Sequence, residues 1–125
     1  MIAADTSSMV AYLSGQPGTD IEVLDRALEL HLAVLPPVVI AEILSDPALS
    51  GEAATFVRSL PRLEIHDGYW ERAGLLRRRV LGRKLKARLG DALVAQSCLD
   101  HKTSLITRDR DFRHFAREVG LRLES

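Results

Sequence analysis

The sequence predicts an α/β fold, a single domain over residues 1–125 with a parallel sheet covered on both faces. Three observations predict it. Short β-prone runs alternate with amphipathic helical stretches along the whole chain. The first of those runs and the one at Ser104 are each followed closely by acids, as at the carboxyl edge of an open parallel sheet. A hydrophobic content of 46% and a mean hydropathy of +0.01 suit one ordinary core, and no composition shift marks a linker and no long-period repeat appears.

Taken in order, Ile2-Ala3-Ala4 reads as a short strand, and Asp5-Thr6-Ser7-Ser8 supplies capping residues for a helix through Met9 and Leu13. Gly15-Gln16-Pro17-Gly18 is a turn. Thr19 or Asp20 can cap the next helix, whose Ile21, Leu24, Leu28 and Leu32 point to the core. Leu32 to Leu35 reads as a buried strand stopped by Pro36-Pro37, and Pro37 suits the first turn of a helix over Val38 to Leu44 that carries Glu42.

Asp46-Pro47 begins a turn, Leu49 to Leu60 a helix ended by Pro61, and Leu63-Glu64-Ile65 a third strand. Asp67 is the expected cap of a long helix through Leu81, in which Trp70 serves as a core or interface anchor. Asp91 follows Gly90 in the first turn of a helix carrying Leu93, Val94, Cys98 and Leu99, where the helix dipole favours an anion. Ser104 to Thr107 is a strand that ends in Arg108-Asp109-Arg110-Asp111-Phe112. A short helix to Val119, a stop at Gly120 and an edge strand Leu121-Arg122-Leu123 complete the chain.

No apolar run is long enough to cross a bilayer, and the amino terminus lacks the pattern of a signal peptide, so a cytoplasmic protein with no membrane attachment is expected. Cys98, the single cysteine, falls among apolar positions and reads as a buried, inert thiol. The four histidines show no metal-ligand spacing and are expected at the surface.

Charge is unevenly distributed although the formal total is zero. Residues 1–67 carry three Lys/Arg against ten Asp/Glu, and residues 68–125 carry fourteen against seven. Between Arg72 and Arg88 eight cations occur without an acid. Such a run is either a solvated helix face with the acidic half nearby or a surface that tracks the phosphates of a nucleic acid; Arg77, Arg78, Arg79, Arg83 and Lys84 are the RNA-binding candidates.

The acids carry the chemistry. Read singly, Asp5 is a helix N-cap and Glu42 a solvent-facing side chain. If the first strand is central and the Ser104 strand lies beside it, however, Asp5 and Asp109 meet at one switch point, and the helices bearing Glu42 and Asp91 open on the same edge. Gathered carboxylates repel unless a divalent cation neutralises them, and hard oxygen donors of this kind select Mg²⁺ or Mn²⁺. A metal beside a basic surface suggests phosphodiester hydrolysis.

Asp5-Thr6-Ser7 after a short strand, Ala41-Glu42-Ile43-Leu44-Ser45, Pro61-Arg62-Leu63-Glu64-Ile65, Gly90-Asp91-Ala92-Leu93-Val94-Ala95 and Leu105-Ile106-Thr107-Arg108-Asp109-Arg110-Asp111-Phe112 together resemble the motifs of PIN-domain ribonucleases. The resemblance is closest to the VapC-like toxins of type II toxin–antitoxin systems. It implies a three-layer α/β/α sandwich around a central, mostly parallel sheet. It also implies Mg²⁺- or Mn²⁺-dependent endoribonuclease activity on an RNA substrate, homodimerisation, and inhibition by a cognate small antitoxin. Position by position, Asp5, Glu42, Asp91 and Asp109 match the family's acidic set, with Asp5, Asp91 and Asp109 as metal ligands. Thr6, Ser7 and Thr107 match its supporting polar positions, and Asp111 stands beside the set as a further contributor.

Two other classes fit the pattern less well. A non-catalytic RNA- or partner-binding module of the same fold would lack one or more of these acids. A phosphoacceptor receiver domain would need an acidic pair just after the first strand, where Asp5 stands alone.

Overall fold

The computed structural model describes residues 1–124. Four parallel strands form the sheet in the order β2-β1-β3-β4, built from β1 (Ile2–Ala4), β2 (Ala33–Val34), β3 (Ser104–Ile106) and β4 (Leu123–Glu124). Seven helices surround it: α1 (Thr6–Leu13), α2 (Thr19–Glu29), α3 (Pro37–Leu44), α4 (Gly51–Ser59), α5 (Tyr69–Gly82), α6 (Leu89–Asp100) and α7 (Phe112–Val119). Successive residues of a strand point to opposite faces, and Ala3, Ala4, Leu105 and Ile106 are all fully buried, so both faces of the sheet are covered. This is the expected α/β/α sandwich with a parallel sheet.

The chain leaves β1 to make β2 on one side and returns to make β3 on the other, which places the switch point between β1 and β3. Their register pairs Ala4 with Ile106, so the residues that follow both strands emerge side by side. Helix α6 is held by α5. The buried Tyr69 hydroxyl donates to the Leu93 carbonyl at 2.6 Å, and the Arg72 guanidinium grips both oxygens of Asp100 at 3.1 and 2.6 Å. Such a bidentate pair fixes orientation as well as distance.

Several expectations need correction. Leu63-Glu64-Ile65 is not a strand: only an isolated parallel bridge between Leu35 and Arg62 forms beside β2, and Ile65 is exposed. The last strand falls at Leu123–Glu124, starting two residues later and ending one later than expected, because Leu105 pairs with Leu123. Leu32 is exposed and belongs to neither the core face of α2 nor β2. Neither Thr19, Asp20 nor Asp67 caps a helix; Gly18 and Gly68 occupy those N-cap positions without a side-chain bond. Helix α4 starts at Gly51, not Leu49, because the Ser50 hydroxyl accepts from the Ala53 N–H at 3.1 Å. Trp70 is 61% exposed, which removes it from the core. His101 and His114 are half-buried, donating to the carbonyls of Glu64 at 2.8 Å and Lys86 at 3.0 Å. Cys98 is buried as expected, and burial pushes its thiol up to about 12. Among the described residues no helix is long and apolar enough to cross a membrane.

Helices α2, α5 and α6 end alike, with a left-handed residue just past the cap: His31, Lys84 and Lys102 at φ of 56°, 59° and 52°. In each, the next N–H reaches back to the last turn, as Leu32 does to the Ala27 carbonyl at 2.8 Å, which satisfies orphan carbonyls. Glycine is the residue that meets this geometry without strain. His31 is exposed and its side chain makes no hydrogen bond among the described residues. His31→Gly is therefore expected to raise the free energy of unfolding by roughly 0.5–1 kcal/mol, the αL relief less glycine's extra chain entropy. Urea denaturation checks it, and an unchanged midpoint counts against strain at this position.

Candidate functional site

Asp5 closes β1 and opens α1. Its N–H donates to the Ile106 carbonyl at 3.1 Å, which ties it to the end of β3. Its carboxylate caps α1 by accepting from the Ser8 N–H at 3.0 Å. It also accepts from the Ser7 hydroxyl at 2.8 Å and from the Thr107 hydroxyl at 2.5 Å. The N-cap reading and the site reading are thus both true of one side chain. Burial raises its pKa above the usual carboxylate value, the hydrogen bonds from Thr107, Ser8 and Ser7 pull it back, and the charge of Asp109 adds to the rise.

Beyond β3 the backbone is turned by its own side chains. The Thr107 oxygen that donates to Asp5 accepts from the Asp109 N–H at 3.0 Å, and Asp109 accepts from the Asp111 N–H at 2.9 Å. Asp109 and Asp111 are thereby brought to Asp91, in the first turn of α6, and the three offer carboxylate oxygens that all lie within 4.8 Å of one another. Asp111, expected as a supporting residue, stands in this triplet, whereas Asp5 lies outside it.

Asp91 is the strained member. Burial first, then the charge of Asp109, raises its pKa to about 6; Arg88 opposes the rise, and Asp5 and Asp111 add to it. Its Oδ2 is buried and finds no hydrogen-bond partner among the described residues. A buried carboxylate oxygen without a partner is costly, and a hard cation is the partner that also relieves the repulsion from Asp109 and Asp111. The donor set therefore fits a divalent ion such as Mg²⁺ or Mn²⁺ held by oxygens.

Glu42 reaches the same cleft from α3, although it is exposed, as its solvent-facing reading predicts. The Thr6 hydroxyl donates to its Oε1 at 2.6 Å. Across from it stands Gly90, where an added Cβ would lie 3.3 Å from Glu42 Oε2. Asp5, Glu42, Asp91 and Asp109 together line a cleft of about 240 Å³, whose lining also includes Phe112 and one cation, Arg88. All four acids proposed from the sequence are brought together. Thr6, Ser7 and Thr107 each hold one of them.

The basic run divides. Helix α5 stops at Gly82, so Arg83 and Lys84 lie in the connection to α6 and not on a basic helix face. Arg77 donates to the Ala87 carbonyl at 2.8 Å and Arg83 pairs with Glu118 at 3.0 Å, whereas Arg78, Arg79 and Lys84 have no partner among the described residues. None of these five lines the acid cleft; Arg88 does, and Lys86 Nζ approaches Asp111 Oδ2 at 3.4 Å. Sequence reasoning missed Arg88 and Lys86, whose only signal was their closeness to Asp91 in the chain. Arg108 turns away from the acids instead, donating to both oxygens of Asp20 at 2.8 and 2.9 Å and to Gln16 at 3.0 Å. Asp20 in turn accepts from the Ser8 hydroxyl at 2.8 Å, so this pair braces the start of α1.

Two solved structures resemble this fold. A chain of VapBC2 from Rickettsia felis, crystallised bound to a DNA fragment from their promoter, superposes with a TM-score of 0.76 at 20% identity, covering 99% of this chain and 98% of that one. A chain of FitAcB from Neisseria gonorrhoeae superposes with a TM-score of 0.70 at 16% identity, covering 100% of this chain and 97% of that one. No curated protein sequence matches the chain. Residues 2–118 match the PIN domain family, and the chain belongs to it.

Proposed function

We propose that the protein is a divalent-metal-dependent endoribonuclease and the toxin of a toxin–antitoxin pair. The observation that carries the nuclease reading is the buried, unpartnered Asp91 Oδ2 set among Asp109 and Asp111 in an open cleft. The toxin reading is supported by the motif resemblance to VapC-like proteins and by the likeness to VapBC2. It implies a small cognate antitoxin as inhibitor. Trp70, Leu75 and Leu81 on α5 and Leu89 at the start of α6, all exposed, offer apolar surface for a homodimer. No observation favours the non-catalytic alternative, since all four acids line the cleft.

Asp91, Asp109 and Asp111 would hold Mg²⁺ or Mn²⁺, with Asp5 beside them. Bound there, the ion supplies Lewis acidity at the scissile phosphate and a lowered pKa for a water. Glu42 would accept a proton from an attacking water at Oε2, since the Thr6 hydroxyl occupies Oε1 and holds the carboxylate's plane. Arg88 lines the cleft, its guanidinium has no partner among the described residues, and it would meet charge that develops on the phosphate. Asp5, locked by Ser7, Ser8 and Thr107, sets the position of the loop that delivers Asp109 and Asp111.

Single-turnover cleavage of mixed single-stranded RNAs tests the assignment. Asp5→Asn keeps an N-cap side chain and is expected to fold, yet to lose at least about a hundredfold in rate. Glu42→Gln is expected to lower the rate more than the affinity for Mn²⁺ measured by calorimetry. Cleavage that persists in EDTA, or full activity in Asp5→Asn, removes the metal-dependent reading.

Asp91 also links metal, pH and stability. Its pKa is raised in the folded state, so the folded form binds the proton more tightly, and the group's contribution to stability grows as pH falls through about 6 towards 4. At neutral pH its ionised form costs the metal-free fold. Asp91→Asn is therefore expected to stabilise the protein in EDTA at pH 7, on the order of 1–2 kcal/mol after allowance for solvent screening, with the gain vanishing near pH 4. Saturating Mn²⁺ should reverse the order at pH 7. Urea unfolding at the two pH values decides it; a gain of equal size at both counts against an ionised Asp91.

A further inference from the structure

On the other side of Asp109 from the acid cleft lies a second cavity, of about 310 Å³. Asp109 lines both, so the second cavity borders the acid cleft at that residue. Three arginines line the second cavity: Arg108, Arg110 and Arg113. Arg108 is committed to Asp20, Gln16 and the Pro17 carbonyl, and so forms a fixed wall. Arg110 and Arg113 are exposed, and their guanidiniums have no partner among the described residues. The other acids of this cavity are engaged: Asp20 by Arg108, and Glu124 by the Ser104 hydroxyl at 2.7 Å. Arg110 and Arg113 stand three residues apart where the β3 exit loop passes into α7, with the Arg113 N–H donating to the Arg110 carbonyl at 3.0 Å. Two unspent guanidiniums beside a site for a scissile phosphate match the repeating charge of a polynucleotide backbone.

Resting on the nuclease reading, we propose that this cavity is a flanking-nucleotide subsite, in which Arg110 and Arg113 hold the RNA phosphate next to the one cleaved. The five basic residues singled out from the sequence are then not the backbone-binding groups nearest the chemistry. The subsite gives the strand a track: one phosphate at Asp109, its neighbour over the start of α7. A bound strand would lie along the β3 exit loop, so length on that side of the scissile bond matters more than length on the other.

The test uses an Asp91→Asn parent, which binds without cutting, and a short fluorescein-labelled single-stranded RNA followed by anisotropy across a salt series. Adding Arg110→Ala and Arg113→Ala is expected to weaken binding at low salt by roughly tenfold. It should also flatten the slope of log Kd against log salt by about 0.7 for each phosphate that the arginines no longer neutralise. Arg117→Ala, also on α7 but outside the cavity, is expected to leave the slope alone. Thermal melting should be unchanged in the double substitution, since neither side chain supports the fold. In the active protein the same double substitution should raise KM with kcat nearly unchanged, and the difference should disappear for substrates that end one nucleotide past the scissile bond on the side of Arg110 and Arg113 and so lack the flanking phosphate. If the parent itself does not bind RNA, the nuclease reading falls and the subsite with it. If the parent binds and the double substitution matches it in affinity and slope, the subsite alone is wrong.

Discussion

The hydrogen bond from Thr107 to Asp5 crosses the seam between β1 and β3, and the geometry of the acids depends on it. One carboxylate there ends a strand, starts a helix and seats the loop that carries Asp109 and Asp111. Its position follows from the register of the two central strands, since pairing Ala4 with Ile106 puts the next residues opposite each other. A one-residue slip of β3 would turn its buried side chains to the wrong faces and carry Thr107 away, so the packing of Leu105 and Ile106 also protects the site. Phe112 and Phe115 anchor the far end of the loop in the core, their rings tilted at a centroid distance of 6.0 Å. The loop is thus fixed at both ends by apolar burial and in the middle by its own carboxylate and hydroxyl oxygens.

The acidic and basic parts of the chain are joined by one ion pair among the described residues, that of Arg108 with Asp20. The three cations between Arg72 and Arg88 that pair with an acid, Arg72, Arg83 and Lys86, all do so within the carboxyl-terminal half, with Asp100, Glu118 and Asp111. Exposed pairs of this kind contribute at most about 1 kcal/mol each, so their role is mainly geometric: they fasten the connection between α5 and α6 to α7. Lys86, at 3.4 Å from Asp111, and Arg88, whose charge pulls the Asp91 pKa down, lie at the end of that connection and temper the repulsion within the acid triplet.

What the sequence discloses and what it hides follow one physical rule. Strand ends and the acids behind them are legible, because a strand buried on both faces must be apolar and the first residues past it must not be. The helix over Pro37–Leu44 is equally plain from proline at its first position. Leu63 to Ile65 misleads because β-propensity reports a fit to a pleated neighbour, and past the edge of β2 there is one bridge and no sheet. Asp20 and Asp67 look like caps because any Asp before an apolar run does; whether one caps or pairs with an arginine depends on residues far along the chain. The arginine-rich stretch looks uniform, and only the fold shows which members brace it, Arg77 on α5 and Arg83 past its end, and which have no partner among the described residues, Arg78, Arg79 and Lys84. Asp111 reads from the sequence as a lesser ligand than Asp5, because its distance across a turn of the loop is set by the hydrogen bond from its own N–H to Asp109.

Gly90 shows that possession of the acids and their alignment are separate properties. Its missing side chain leaves Glu42 room to lie against the first turn of α6, and a methyl there would stand 3.3 Å from the carboxylate oxygen. Glu42 is exposed, so it could yield by a few tenths of an ångström without disturbing the core. Misplacement of a reacting group by about 1 Å can cost a hundredfold in rate. A lineage could therefore quiet such a protein gradually by enlarging the residue before Asp91, with every carboxylate retained. An inventory of acids in a sequence would score that descendant as active, and the spacing between two helices is what tells them apart.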